Sequence, residues 1–125
     1  MTALLLDTHA LLWSVGDEEL LSPAAHEALS AGAIPAYVSA ASIWEIAIKR
    51  ASGKLAVPED LMDKVAAARF IELVVTFEHA LRAGALPPHH RDPFDRMLVA
   101  QAQSEGLTVV SRDPRIAAYD VPVLW

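Results

Sequence analysis

The stretch "DPFDRMLVAQAQSEGLTVVSRD", residues 92–113, decides the fold because it holds a helix, a turn and a strand in succession. Asp92 followed by a proline is typical of a helix N-terminus, and Gly106 ends the helical segment. The apolar run at 108–110 has the length and the β-branched content of a buried strand. A helix followed directly by such a strand is typical of α/β proteins.

The same alternation extends outward along the chain in both directions. Four further short apolar runs are typical of buried strands: "ALLL" (3–6), "AYVS" (36–39), "LVV" (73–75) and "VPVL" (121–124). Helical segments lie between them, at 22–32, 39–53, 58–70 and 77–86. Apolar strands that alternate with helices predict a three-layer α/β/α sandwich around a mostly parallel central sheet of about five strands.

Length and composition predict one domain over residues 1–125, because 54% of the residues are apolar and no linker or low-complexity segment interrupts them. The chain has no cysteine, which excludes disulfides and thiolate zinc sites and fits a reducing cytoplasm. Asp7 interrupts the first apolar run too early for a signal peptide or a membrane span. We therefore expect a cytoplasmic protein.

The formal net charge of -6 argues against a protein that binds nucleic acid through a general basic face. A polyanionic substrate would need local neutralisation of the acidic side chains. A divalent metal ion held by clustered carboxylates supplies that neutralisation, so the positions of the acids matter most.

Four acids follow predicted strands closely. Asp7 comes directly after the first strand, and Asp113 comes shortly after the strand at 108–110. Glu45 and Asp95 lie in the first turns of their helices. Because ligands bind beyond the carboxyl ends of parallel strands, where the strand order reverses, we expect these four acids to converge on one edge of the sheet.

Most of these acids also have a purely structural interpretation. Asp92 can cap the helix that begins at the following proline, and Asp95 can favour the positive end of that helix. Asp113 can cap a short helix that starts at its own following proline, and Asp7 can cap a helix that starts at Thr8. Capping explains each acid separately, but it does not explain why they should gather at one edge.

Glu45 can pair with Lys49 at the i, i+4 spacing on a solvated helix face. Its neighbours are mostly apolar, however, and an unpaired buried carboxylate costs several kcal/mol, so Glu45 needs a partner. Gathered carboxylates repel one another unless a cation lies among them. Oxygen ligands without cysteine suit Mg²⁺ or Mn²⁺, which activate water and stabilise the charge that builds up at an attacked phosphate.

Four motifs in series resemble the PIN domain, and most closely its VapC group of prokaryotic toxin ribonucleases: "LLLDTHALLW" (4–13), "SAASIWEIAIKRASGKL" (39–55), "LPPHHRDPFDRMLVAQA" (86–102) and "LTVVSRD" (107–113). The resemblance covers nearly the whole chain. It implies a metal-dependent endoribonuclease that hydrolyses RNA phosphodiester bonds, is inhibited by a cognate antitoxin and usually forms a homodimer. The amphipathic stretch 61–70 can belong to a partner surface or to the core.

The resemblance also implies roles for individual residues. The catalytic, metal-binding acids are Asp7, Glu45, Asp95 and Asp113. Ser111 is expected to support the site by hydrogen bonding, and Asp92 to cap its helix, with a supporting role at the site still open. Thr8 either touches a metal-bound water or a phosphate or caps a helix.

Arg91 and Arg112 are candidates for contacts with RNA phosphates at the rim of the site, whereas helix geometry turns Arg96 away. His89 and His90 are expected to face solvent, since no zinc-binding pattern accompanies them.

The aromatic side chains have two interpretations, base stacking and core packing. Trp44 and Phe94 fit core packing because they lie in apolar helical patterns, whereas Trp13 can line a groove.

Three other classes of protein compete with the nuclease. An aspartyl phosphatase commonly needs a second acid two residues after the first, and that position is His9. A receiver-like domain needs an acidic pair near the first strand and a late lysine, and the chain offers Asp7 alone and Arg112. A non-catalytic metal-binding interaction module stays open.

Overall fold

A computed structural model describes residues 2–125 and contains one parallel sheet of five strands in the order β3-β2-β1-β4-β5. The strands are β1 (Leu4–Leu6), β2 (Ala36–Ser39), β3 (Ile71–Leu73), β4 (Thr108–Val110) and β5 (Val123–Leu124). Each neighbouring pair is parallel, so the carboxyl ends of all the strands lie at one edge of the sheet.

Helices follow the strands as the alternating sequence pattern predicts. They are α1 (Thr8–Ser14), α2 (Pro23–Ala31), α3 (Ala40–Ala51), α4 (Leu61–Ala67), α5 (Phe77–Ala85), α6 (Pro93–Glu105) and α7 (Pro114–Ala117), with a short 3-10 helix at Glu18–Leu20. Within residues 2–125, the structure contains no helix with the length and apolarity needed to cross a bilayer.

Two hydrophobic cores lie on opposite faces of the sheet. Leu4 and Leu6 pack with α1 to α4 on one face, whereas Leu5 packs with α6 and α7 on the other. Successive side chains of a strand point to opposite faces, so a strand that is buried on both faces must be apolar at every position. The predicted three-layer sandwich around a parallel sheet is therefore confirmed.

The third strand was predicted at 73–75, and that position is wrong by two residues. β3 pairs Ile71 with Tyr37 of β2 and ends at Leu73. Val74 and Val75 lie beyond it and are exposed, and the Val74 carbonyl accepts a hydrogen bond from the side chain of Gln101 instead of continuing the ladder. β3 is an edge strand, so apolar content alone does not define its boundaries.

The strand order reverses between β1 and β4. From β1 the chain proceeds outward through β2 and β3, and it then returns to the other side of β1 to form β4 and β5. Loops that leave β1 and β4 therefore diverge and open a crevice at the carboxyl edge, which is the preferred place for a ligand in such sheets.

Candidate active site

A cleft of about 330 Å³ opens at this crevice. It is lined by all four predicted site acids, by one further carboxylate and by polar, cationic and aromatic neighbours: Asp7, Thr8, His9, Trp13, Glu45, Lys49, Asp92, Asp95, Arg112, Asp113, Pro114 and Arg115. The convergence expected from the strand topology is therefore present. The cations also belong to the cleft, which explains how an acidic chain can present positive charge locally.

Asp7 links the end of β1 to the start of α1. Its Oδ1 accepts a hydrogen bond of 2.8 Å from the backbone N–H of Ala10, so Asp7 does cap α1. The carboxylate also lines the cleft and is buried. Burial raises the pKa of Asp7, while hydrogen bonds from Ser111 and Ala10 oppose the rise and the charge of Asp113 adds to it.

Glu45 lies in the second turn of α3 and is only 4% exposed. Its two oxygens have separate partners: the Thr8 hydroxyl donates to Oε1 at 2.5 Å, and the Lys49 ammonium lies 2.6 Å from Oε2. The expectation that Glu45 needs a partner is confirmed. The Thr8 side chain does not cap α1, since Asp7 does that; instead, it holds Glu45.

Asp92 and Asp95 divide their roles at the start of α6. Oδ1 of Asp92 accepts hydrogen bonds from the backbone N–H groups of Phe94 at 2.8 Å and of Asp95 at 3.2 Å, which confirms the predicted cap. Asp95 lines the cleft, and its pKa is raised to about 7 by burial and by the charges of nearby carboxylates: Asp92, Glu45, Asp7 and Asp113. The carboxylates of the cleft therefore lie close enough to repel one another.

Asp113 is the most compensated of the acids. Its Oδ1 caps α7 by accepting from the backbone N–H of Arg115 at 2.9 Å, and the Arg115 guanidinium lies 3.2 Å from each oxygen. Burial alone would raise the pKa of Asp113, but hydrogen bonds from Arg115 and His90 outweigh burial and lower it. Ser111, also buried, accepts a hydrogen bond of 3.0 Å from the Asp113 backbone.

His90 was expected to face solvent, and that expectation is wrong. It is 4% exposed, and its Nε2 lies 2.9 Å from Oδ2 of Asp113 and 3.0 Å from Oδ2 of Asp95. The backbone N–H of His90 donates to the Tyr119 hydroxyl at 3.0 Å, and this bond fixes the backbone from which the buried ring projects. His89 is exposed, as predicted, and packs edge-on against the Tyr119 ring.

The three arginines that neighbour the site acids in sequence have different surroundings. Arg112 lines the cleft, and its guanidinium lies 5.0 Å from the ring centroid of Trp13. Arg91 is exposed and does not line the cleft. Arg96 points away, as helix geometry predicts, and donates to carbonyls at the end of α5 and in the loop before α6.

The aromatic predictions are correct only in part. Trp13 lines the cleft and packs against Trp125 with ring centroids 5.7 Å apart. Trp44 was expected in the core, but it is 63% exposed and meets Phe94 edge-on at 5.2 Å on the surface. Apolar periodicity in α3 does not distinguish a core side chain from an exposed one, which is why the prediction failed.

The residues of the cleft fit a divalent cation. His90, Asp95 and Asp113 each offer an atom within 4.8 Å of the others, and Asp7 and Glu45 face the same cleft. Burial, with a smaller contribution from the charges of neighbouring carboxylates, raises the pKa values of Asp7 and Asp95, so the charged form of each is disfavoured in the protein alone. Carboxylate oxygens in a partly open cleft are the donors that Mg²⁺ and Mn²⁺ prefer, and a bound cation would remove the repulsion.

The family model of the PIN domain matches residues 4–122 of this sequence. No curated protein sequence matches the chain.

Several solved structures share the fold. A DNA-bound VapBC from Salmonella typhimurium has a TM-score of 0.72 at 19% identity, with 98% of this chain and 97% of that chain covered. VapBC2 from Rickettsia felis, bound to a promoter DNA fragment, has a TM-score of 0.72 at 13% identity and covers 97% and 96% of the two chains. VapBC-5 from Mycobacterium tuberculosis, described as a toxin-antitoxin system, has a TM-score of 0.59 at 21% identity and covers 98% of each chain.

Proposed function

The chain belongs to the PIN domain family, and from that premise we propose that it is a VapC-type toxin, an endoribonuclease that depends on Mg²⁺ or Mn²⁺. One observation carries the proposal: the Asp95 carboxylate lies in the cleft with four other carboxylates, and burial together with their charges raises its pKa to about 7. A cluster of this kind has little structural benefit without a cation. Cleavage of cellular RNA would take place in the cytoplasm.

The proposed metal site consists of Asp7, Glu45, Asp95 and Asp113. Asp7 and Asp95 are the site acids whose pKa values are raised, chiefly by burial, so a cation would relieve the cost of their charge and they are the first candidates for direct ligands. When bound, the cation would lower the pKa of a water molecule and neutralise charge at the attacked phosphate. Thr8 and Lys49 hold the Glu45 carboxylate in position, and His90 holds that of Asp113.

Supporting residues keep the carboxylates in place. Thr8 fixes Glu45, Ser111 hydrogen-bonds both Asp7 and the backbone of Asp113, and Asp92 caps the helix that carries Asp95. A displacement of about 1 Å can cost two orders of magnitude in rate, so these contacts matter for catalysis as well as for folding.

RNA is the proposed substrate, and the cations of the cleft support it. Arg112 and Arg115 line the cleft beside the acids, where they would contact phosphate oxygens. Trp13, on which Arg112 rests, offers a ring for base stacking. Arg91 lies outside the cleft lining, so any phosphate that it contacts would be farther along the RNA.

A cognate antitoxin and a second copy of the chain are the proposed protein partners. Large apolar side chains are exposed on α3 and α5, including Trp44 at 63%, Phe77 at 92% and Leu81 at 77%. Apolar groups exposed in this number favour protein contacts.

The stretch 61–70 contributes to both the core and an apolar groove, because Leu61 is buried while exposed Met62 lines the groove. Light scattering, and copurification with the product of the adjacent reading frame, test these partners.

Cleavage of a total-RNA sample by the purified protein tests the activity. We expect cleavage with Mg²⁺ or Mn²⁺, none with chelator and none with Asp95→Asn. Asp120→Asn is the matched control, because Asp120 is an exposed acid that does not line the cleft.

The alternative is a non-catalytic metal-binding module. One observation favours it: the oxygens of Asp113 already accept hydrogen bonds from Arg115 and His90. Calorimetry that detects metal binding by a wild-type protein without ribonuclease activity, on a broad RNA pool and with both metals, would favour the module.

A further inference from the structure

The hydrogen bonds around His90 determine which of its ring nitrogens carries the proton. The backbone N–H of Asp92 donates to Nδ1 at 3.1 Å, so Nδ1 is an acceptor and carries no hydrogen. A neutral imidazole with an unprotonated Nδ1 has its hydrogen on Nε2. His90 therefore presents an N–H, and not a lone pair, to the carboxylates of the cleft.

That N–H lies between two acids of the proposed metal site. Nε2 donates to Oδ2 of Asp113 at 2.9 Å, and Oδ2 of Asp95 lies 3.0 Å from the same nitrogen. Asp95 belongs to α6 and Asp113 to the segment between β4 and α7, so His90 links two elements that carry site acids. A donor between two like-charged carboxylates reduces their repulsion and fixes their separation.

We propose that His90 is a positioning residue that holds Asp95 and Asp113 in place for the metal ion through its Nε2–H, and that it is not itself a metal ligand. The inference rests on the proposed function, because it assigns His90 a role at the same metal site. Each carboxylate accepts several bonds, so a donor on one oxygen leaves others for a cation. The spacing in the sequence explains the tautomer: His90 lies two residues before Asp92, whose backbone N–H donates to Nδ1 and leaves the ring hydrogen on Nε2.

The loop around His90 is itself anchored, so the ring is held firmly. The Tyr119 hydroxyl accepts from the backbone N–H of His90 and donates to the Pro87 carbonyl at 2.6 Å. The Arg96 guanidinium donates to four carbonyls of the preceding segment, those of Ala83, Leu86, Pro87 and His90. These bonds hold the His90 backbone in the position from which the ring contacts Asp95 and Asp113.

Nitrogen-15 NMR of the ring tests the proposal directly. Long-range proton–nitrogen spectra of the labelled protein, with His90 assigned by comparison with His90→Gln, report which nitrogen is protonated. We expect Nε2 to carry the proton both without metal and at saturating Mg²⁺. Loss of the Nε2 proton on Mg²⁺ binding would make His90 a metal ligand. A proton on Nδ1 would mean that Nε2 does not donate to the carboxylates. Either result would overturn the proposal.

Calorimetric titration with Mg²⁺ provides the second readout. His90→Ala should bind Mg²⁺ about 10- to 100-fold more weakly, whereas His90→Gln, whose amide can donate from a similar position, should lose only a few-fold, about threefold. His89→Gln is the matched control from the same loop and should bind like the wild type, since His89 is exposed. Equal losses in His90→Gln and His90→Ala would exclude the donor role.

The outcomes separate this proposal from the proposed function. Wild-type Mg²⁺ binding and RNA cleavage together with unchanged affinity in both His90 variants would overturn only the role of His90. A wild-type protein that binds neither Mg²⁺ nor Mn²⁺ would overturn the metal-dependent function, and the role of His90 with it. If His90→Ala does not fold, the NMR result and His90→Gln decide.

Discussion

The hydroxyl of Thr8 donates a 2.5 Å hydrogen bond to Oε1 of Glu45 and so joins the helix that follows β1 to the helix that follows β2. Both side chains are buried, and the second oxygen of Glu45 is taken by Lys49. The bond therefore fixes a carboxylate of the proposed metal site through an element that the sequence places 37 residues away.

Replacement of Thr8 by valine keeps the shape of the side chain and removes this donor. We expect Thr8→Val to lower the free energy of unfolding by about 1–3 kcal/mol, because Oε1 of the buried Glu45 side chain then lacks its hydrogen-bond donor. Urea unfolding in the presence of chelator measures the change. Thr8→Ser, which keeps the hydroxyl, is the control; equal stability of the valine variant and the wild type would contradict the importance of the bond.

Asp95 should make the metal-free protein less stable as the pH rises. Burial and neighbouring carboxylates raise its pKa from 3.8 to about 7. Between these values the folded state keeps a proton that the unfolded state has lost, so stability falls with rising pH, by up to about 1.4 kcal/mol per pH unit. Above about pH 7 Asp95 is charged in both states, and the protein has lost all of the stability that the retained proton supplied at lower pH.

Asp95→Asn removes this penalty. In chelator, the variant should therefore melt at a higher temperature than the wild type at pH 8, and the difference should shrink towards pH 4. Thermal melts of the two proteins across this range measure it, with Asp120→Asn as the control for loss of an exposed charge. A variant that is less stable than the wild type at pH 8 would assign Asp95 a structural role instead.

The parallel sheet and the position of acids after strands could be predicted from the sequence because both depend on local patterns. Apolar runs predict buried strands, parallel strands place their carboxyl ends together, and Asp7 and Asp113 each follow such an end. The cap at Asp92 has an equally local cause in the following proline. Convergence of the acids at the cleft followed from these rules alone.

Other features of the site depend on contacts between distant parts of the chain, which local patterns do not contain. His90 is buried because Tyr119 and Arg96 anchor its loop. Trp44 is exposed although the neighbouring Ile46 is buried, since the two project from different sides of α3. A buried histidine and an exposed tryptophan both require the tertiary structure.

Metal affinity should depend on pH through the same Asp95 carboxylate. Its pKa of about 7 means that a cation must displace a proton at lower pH. We expect the affinity for Mg²⁺ to be nearly constant above pH 7 and to fall by up to about tenfold per pH unit below it. Calorimetric titrations at pH 6 and pH 8 measure the difference. Equal affinities at the two values would mean that Asp95 does not bind the cation.

Arg115 should compete with the metal for Asp113. Its guanidinium lies 3.2 Å from each Asp113 oxygen, and together with His90 it lowers the pKa of that carboxyl even though burial acts in the opposite direction. Arg115 is exposed, so the contact can open when a cation arrives. In Arg115→Gln, the competing charge is gone, and Mg²⁺ should bind several-fold more tightly in the absence of RNA.

RNA binding should change in the opposite direction. Arg115 lines the cleft, where it would contact phosphate, so Arg115→Gln should bind a non-cleaved RNA more weakly and show a smaller dependence of affinity on salt. Arg91→Gln is the matched control for metal affinity, because Arg91 is an exposed arginine outside the cleft lining. If Mg²⁺ binds more weakly to Arg115→Gln than to the wild type, the arginine holds Asp113 ready for the cation and does not compete with it.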